Sequence, residues 1–261
     1  MRTVVTGAAG RMGRVLVGLI QADPKMRLVG ATERPGADAV GTELGGVQVS
    51  DRLEAVLEAG PVDVVIDFTG AESSLGHARA CAARGVALVV GSTGFTAASQ
   101  AEMESLARKI ALVMAPNMSV GVNLVIGLAA RFATLLGEGY DVEVLEMHHR
   151  MKRDAPSGTA LRLAEEIARA LGRDPQRLTL ARQGMVGERP PGEIAVQTLR
   201  GGDVVGEHTV YFIGDGERIE FTHRSTSRDA YARGALRAAQ WAAGRPAGLY
   251  GMTDVLGLGS L

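Results

Sequence analysis

The sequence is short of cysteine, of aromatic residues and of net charge, and each shortage excludes something. Cys81, within ARACAARG, is the single cysteine in 261 residues, so no disulfide can form within the chain. A reducing compartment follows as the default, and the expected location is cytoplasmic. Aromatics make up 4% of the chain and the formal net charge is -1, which leaves no broad electrostatic case for nucleic acid or an acidic membrane surface. No apolar run approaches the roughly 18 residues that a membrane span needs, so no membrane partner is expected. The chain opens on MRTVVTG, which predicts a strand rather than a signal peptide. The histidines lack metal-ligand spacing and thiolate partners, so no metal site is expected. Cys81 falls in the middle of a helical pattern, where packing is its expected role, which argues against a thioester-forming aldehyde dehydrogenase.

What is abundant is hydrophobic sequence, at 46%, and glycine, with 35 residues clustered at segment ends. The first part alternates short apolar runs with helical stretches. Strands are predicted at 3–7, 27–33, 62–69, 87–94 and 111–117, and helices at 11–23, near 72–84 and near 97–108. This β-α-β alternation predicts a Rossmann-like, doubly wound parallel sheet. After Asn117 the texture changes. An apolar helix is expected at 120–136, an alternating strand at 141–148, and a helix with its stripe at Ala160, Ala164, Ile167 and Leu171. Runs at 193–200, 204–214 and 217–224 follow, joined by the turns GGD and GDG. Both turns read as hairpin signals, so the second part is expected to be an α+β domain with a mixed, largely antiparallel sheet. A last helix is expected at 230–244. The predicted domains are 1–118 plus 229–261 for dinucleotide binding, and 119–228 for substrate binding and oligomerisation.

Two regions carry the chemistry. The first is GAAGRMG (7–13), at the end of the first strand and the start of a helix. Glycine there lets the backbone approach a pyrophosphate, and the N–H groups of the helix start hold the anion. The spacing departs from G-x-G-x-x-G because Ala9 stands at the second glycine position. Glu33 ends the second strand, where an acid accepts hydrogen bonds from ribose hydroxyls. Its neighbour Arg34 suits a 2′-phosphate, so NADH and NADPH are both candidate cofactors. The loops GSTG (91–94) and APNMS (115–119) also follow parallel strands, at the ends where ligands bind in such sheets.

The second region is HHRMKRDAPSGTA (148–160). The predicted strand delivers His148 and His149, but adjacent side chains of a continuing strand face opposite ways, so the strand must stop there if both are to reach one ligand. Lys152 follows. Ser157 is a plausible N-cap, and Gly158 and Thr159 begin the next helix, an anion-binding corner. A proton-exchanging histidine beside a lysine and a helix start suits a small dianionic substrate undergoing proton and hydride transfer. Of the other histidines, His208 and His223 fit structural roles in strands, and His77 reads as a surface residue of a helix.

Together GAAGRMG, DFT, GSTGF, APN, EMHHRMKRDAPSGTA, GDVVGEHT and the ending GLYGMTDVLGL resemble the 4-hydroxy-tetrahydrodipicolinate reductase family, also called dihydrodipicolinate reductase. The resemblance runs over nearly the whole chain. It implies hydride transfer from NADH or NADPH to a cyclic unsaturated dicarboxylate, with loss of water from the 4-hydroxy form, in a homotetramer of the lysine pathway. It implies His148 as the catalytic proton donor or acceptor and Lys152 as the second catalytic group, with His149, Gly158 and Thr159 as substrate contacts. It implies cofactor contacts at Gly7, Ala8, Ala9, Gly10, Arg11, Met12, Glu33, Arg34, Gly91, Ser92, Thr93, Ala115, Pro116, Asn117 and Met118. Three positions depart from the pattern: Met151 where some members carry a histidine, Met118 where phenylalanine is common, and Gly70 where many have a larger residue. The readings weighed against this one are a related dehydrogenase acting on homoserine, and a nucleotide-sensing regulator; the absence of basic DNA-binding elements disfavours the second.

Overall fold

A computed structural model describes residues 1–227 and 229–260. In chain order the first elements are β1 (Arg2–Thr6), α1 (Arg11–Ala22), β2 (Arg27–Thr32), β3 (Glu43–Leu44), β4 (Val47–Ser50), α2 (Leu53–Ala59), β5 (Val64–Asp67), α3 (Ala71–Arg84), β6 (Ala87–Val90), α4 (Ala97–Leu106) and β7 (Ala111–Met114). Then come α5 (Val120–Leu136), β8 (Asp141–His148), α6 (Gly158–Ala170), β9 (Ile194–Arg200), β10 (Gly206–Gly214) and β11 (Glu217–Ser225). The chain finishes with α7 (Asp229–Ala242), β12 (Gly248–Tyr250) and α8 (Met252–Leu256). It divides into two compact units, Met1–Val120 with Asp229–Leu261, and Gly121–Arg228.

Unit 1 is built on an eight-stranded sheet in the order β12-β7-β6-β5-β1-β2-β4-β3, parallel except for the short β3–β4 pair. Helices cover both faces, so the central strands are apolar on both sides; all four residues of β5 are buried. Val5, Ile66, Val89 and Val113 pack with α1 and α7 on one face. Val4, Val65, Leu88 and Leu112 pack with α2, α3 and α4 on the other. Cys81 belongs to this second cluster and is fully buried; burial raises its thiol pKa, consistent with a packing role. The segments β3, β4, α2 and β12 are too short to show a period in sequence. β12 pairs with β7 and brings the chain end onto the sheet edge.

Unit 2 carries a four-stranded sheet in the order β11-β10-β8-β9. The pairs β10–β11 and β10–β8 are antiparallel, and β8–β9 is parallel. The GDG turn closes a hairpin as expected. The GGD turn does not: β8 lies between β9 and β10, so residues 201–205 cross over its end instead of reversing one strand onto the next. Alternate residues of the sheet, including Val142, Val144, Val196, Val210 and Phe212, pack against the apolar stripes of α5 and α6.

One composition reading needs correction. Residues Val120–Gly139 form a 20-residue helical stretch long and apolar enough, by length and composition, to cross a membrane. Its sequence contains Arg131 and Glu138, and its Val122, Ile126, Ala129 and Ala133 are buried in the core of unit 2. One face of the helix therefore packs in unit 2, while Leu128 and Leu135 stand exposed on the rest of it.

Candidate active site

In unit 1 the glycine loop is drawn tight by its own backbone. The Ala8 N–H donates to the Thr32 carbonyl and the Gly10 N–H to the Gly7 carbonyl, both at 3.0 Å. Gly13 sits in the first turn of α1, where a β-carbon would fall 2.1 Å from the Gly7 carbonyl oxygen. Only glycine lets the helix pack this closely under the loop, with the N–H groups of its first turn pointing along the axis. Gly7, Gly10, Glu33, Arg34, Thr69, Gly70 and His77 line one pocket of about 580 Å³. Glu33 is also part of the loop's support: Oε1 accepts the Ala9 N–H at 2.9 Å and Oε2 the Arg34 N–H at 3.3 Å. Arg34 is exposed beside it.

His77 is more than a surface residue. Its Nδ1 lies 2.6 Å from Oδ2 of the fully buried Asp67, whose other oxygen accepts the Thr69 N–H and hydroxyl. Burial alone would raise the Asp67 carboxyl, but these bonds hold it below its ordinary value. The GSTG loop begins with the Gly91 N–H bonded to the Asp67 carbonyl, and the buried Ser92 hydroxyl accepts from Ser74. Thr93 is exposed. In APNMS the Ala115 N–H donates to the Val90 carbonyl, and the Asn117 side chain accepts the Ser119 N–H, forming a local turn. Pro116 is exposed, whereas the Met118 side chain is 1% exposed and packs in the core.

In unit 2 the sequence puzzle of adjacent histidines resolves at the strand end. β8 stops at His148 because the 201–204 crossover takes over its hydrogen bonds. The Gly201 N–H donates to the His148 carbonyl at 3.0 Å, and the His149 N–H donates to the Val204 carbonyl at 2.8 Å. The Arg150 N–H donates to Gly202, and the Lys152 N–H returns to the His149 carbonyl. His148 is therefore the last pleated residue, on the buried face, and His149 leaves the strand half-exposed.

The His148 ring sits in a polar nest that sequence reasoning missed in part. Glu146 lies two residues earlier on the same face and is fully buried, with Oε2 2.6 Å from His148 Nδ1. Arg200 grips both Glu146 oxygens at 2.8 and 2.9 Å, and the Ser157 N–H and Thr198 hydroxyl donate to Oε1. Burial works to raise the Glu146 carboxyl, but these donors hold it below the ordinary carboxylate value. Burial also lowers His148; the Glu146 contact opposes that lowering, and the charges of Lys152 and Arg200 add to it. His208 packs edge-on against His148, ring centres 5.2 Å apart, and its Nε2 meets the Ser157 hydroxyl at 3.2 Å. Burial and the adjacent His148 push His208 down to about 4.

Ser157 caps α6, accepting the Ala160 N–H at 3.2 Å, so Gly158 and Thr159 form the first turn beside this nest. Lys152 Nζ lies 2.9 Å from both oxygens of Asp154, which it holds below the ordinary carboxylate range. Arg200 bonds the Asp154 carbonyl at 2.6 Å, tying this segment to the same cluster. Arg150, Met151 and Arg153 are exposed. Glu146 was legible from the two-residue period of the strand. Arg200 was not, because its approach depends on the pairing of β8 with β9.

Comparison with known proteins adds a name to this geometry. Profiles described as dihydrodipicolinate reductase, N-terminus and C-terminus, match residues 1–118 and 121–256. A 4-hydroxy-tetrahydrodipicolinate reductase of Myxococcus xanthus (strain DK1622) is 62% identical over 265 residues, 98% of each chain. One from Anaeromyxobacter dehalogenans (strain 2CP-1 / ATCC BAA-258) is 57% identical over 266 residues, again 98% of each. Among solved structures, a dipicolinate-bound dihydrodipicolinate reductase from Paenisporosarcina sp. TG-14 superimposes with a TM-score of 0.79 at 26% identity, covering 97% of this chain and 98% of that one.

Proposed function

The chain belongs to the dihydrodipicolinate reductase family, and from that membership we propose how its residues divide the work of an NAD(P)H-dependent 4-hydroxy-tetrahydrodipicolinate reductase. The reaction reduces 4-hydroxy-tetrahydrodipicolinate to tetrahydrodipicolinate with loss of water, within the diaminopimelate route to lysine. Relatives at 57–62% identity carrying the reductase name set aside the homoserine dehydrogenase alternative.

Unit 1 binds NADH or NADPH. The pyrophosphate sits on the loop Gly7–Met12 and the start of α1, and the adenosine ribose reaches Glu33 and Arg34. The segments Gly91–Thr93 and Ala115–Met118 complete the cofactor site at the carboxyl ends of β6 and β7. The bound cofactor supplies the hydride. Everything else is done by groups of the chain.

Unit 2 binds the dicarboxylate. Lys152, His149 and the first-turn N–H groups of Gly158 and Thr159 take its carboxylates, by charge and by backbone donation. His148 exchanges the proton that the reduction requires. The single observation carrying this reading is the meeting, in one corner of unit 2, of a buried histidine, a lysine and a capped helix start. Lys152 is held near the corner by Asp154, a partner that a carboxylate ligand replaces like for like.

The protein acts as a cytoplasmic homotetramer. Support for assembly comes from the outer face of the unit 2 sheet, where Leu199, 44% exposed, pairs with half-buried Met147 and lies near Leu145, and Ile213, 38% exposed, stands farther along the same face opposite Asp141. Light scattering after size exclusion tests the assembly. A steady-state assay with freshly made substrate and each cofactor in turn tests the division of labour. Substrate-dependent oxidation of NADH or NADPH is expected, and loss of cofactor binding on changing unit 2 residues contradicts the assignment.

A further inference from the structure

His148 has two ring nitrogens, and its chemistry depends on which one carries the proton. The carboxylate beside it decides this. Glu146 is fully buried and collects Arg200 on both oxygens, the Ser157 N–H and the Thr198 hydroxyl. The guanidinium and the backbone amide donate only, so Glu146 is surrounded as an ionised acceptor. An ionised carboxylate 2.6 Å from Nδ1 requires a proton on Nδ1. The neutral ring then carries a bare lone pair on Nε2.

Two other contacts fix where that lone pair points. A β-carbon at Gly206 would fall 3.0 Å from Nε2, so any side chain at that position crowds the nitrogen. His208 stacks edge-on at 5.2 Å and is itself held by Ser157. The charged or titratable groups facing the ring are Glu146 on its own strand, Arg200 on β9, His208 on β10, and Lys152, paired with Asp154, after the strand. Among the described residues, Glu146 is the one carboxylate bonded to the ring.

We infer that Glu146 is a positioning residue: with Arg200 as its counter-ion it locks His148 as the Nδ1–H tautomer, so the group His148 offers to a ligand is the Nε2 lone pair. This rests on the reading that His148 takes part in turnover. A proton taken up at Nε2 makes an imidazolium with both nitrogens protonated. The Glu146 carboxylate stays ionised and balances the new charge, and the proton later leaves from Nε2 with the ring unchanged. Glu146 thereby favours the charged ring, against the burial that disfavours it.

The test uses the full chain labelled with ¹⁵N-histidine, the His148 resonances being assigned by their loss in His148→Gln. In the wild type at neutral pH, the shifts are expected to report a proton on Nδ1 and a bare Nε2. In Glu146→Gln, the limb of the pH profile of kcat that belongs to His148 is expected about one to two pH units lower, because an adjacent anion shifts a pKa by that order. NADH affinity is expected to stay the same. Glu146→Gln leaves Arg200 without its anion, so the double variant Glu146→Gln/Arg200→Met removes both charges and is expected to show a smaller displacement in the same direction, because Arg200 itself lowers His148. A wild-type ring protonated on Nε2 overturns the inference. So does an unmoved limb in either variant that still binds NADH. If neither variant folds, the wild-type tautomer alone decides. Unchanged turnover in His148→Gln removes the functional reading instead, and the tautomer remains readable.

Discussion

His148 Nδ1 lies 2.6 Å from Glu146 Oε2, and the two residues stand two apart on one face of β8. The contact joins an imidazole to a carboxylate that Arg200, from the neighbouring strand, helps to hold below its ordinary value. The role proposed for His148 thus rests on a buried polar cluster rather than on the exposed charges that crowd the same stretch of sequence.

Replacing His148 by glutamine removes the ionisable ring and keeps a polar side chain of similar reach. Turnover is expected to fall about 10²- to 10⁴-fold, the usual range for loss of a general acid or base. NADH binding, which belongs to unit 1, is expected to be unchanged in a fluorescence titration. A variant with normal kcat takes His148 out of the reaction.

Lys152→Ala removes the cation and leaves Asp154 without its partner. The substrate KM is expected to rise and kcat to fall, while the KM for NADH holds. A loss of thermal stability with both kinetic constants normal shows a purely structural lysine.

The buried histidines give unit 2 a predictable response to acid. The ordinary value for His208 is 6.5 and the folded value is about 4. The unfolded chain therefore takes up a proton that the folded one refuses as pH falls from 6.5 towards 4, and stability declines through that window. Below about 4 both states are protonated and His208 contributes no further loss. The amount is on the order of 3 kcal/mol at about 1.4 kcal/mol per unit. His148, lowered in the same direction, adds to the decline. Glu146 acts at lower pH: its stabilisation is complete above 4.5 and is lost as pH falls through its depressed folded value. Melting temperatures between pH 7 and pH 4 measure the slope, which His208→Asn is expected to flatten.

Gly13→Ala drives a methyl group to within 2.1 Å of the Gly7 carbonyl oxygen. Overpacking of this kind costs about 1–3 kcal/mol. The helix start moves away from the loop, so the dissociation constants of NADH and NADPH are expected to rise at least about tenfold, following the same energy range. Equal affinity in variant and wild type shows that the loop tolerates the displacement.

The parts of the fold legible in the sequence are those with a strong period. The five main strands of the parallel sheet, α1 and α6 announce themselves because one residue pattern satisfies local propensity and burial together. The region 34–61 stays unread because β3, β4 and α2 are too short to show a pattern. The GGD turn misleads for a different reason: glycines at 201–202 satisfy a crossover as well as a hairpin, and only the insertion of β8 between β9 and β10 distinguishes them. At the site, His148, Lys152 and the Ser157 cap are visible as adjacent residues. Arg200, Thr198 and His208 are 50 or more positions from His148 and reach it through strand register alone. Met118 carries a further lesson, since a motif position beside a cofactor loop spends its side chain on the core.

The crossover at 201–204 does two jobs with one set of backbone bonds. It ends β8, and it fastens the carbonyl of His148 and the N–H of His149 to residues that arrive some fifty positions later in synthesis. A growing chain that has made β8 and α6 already contains His148, Lys152 and the helix cap, but lacks the register that aims them. On the proposed division of labour, the site of unit 2 is complete only once β9 and β10 have paired on both sides of β8.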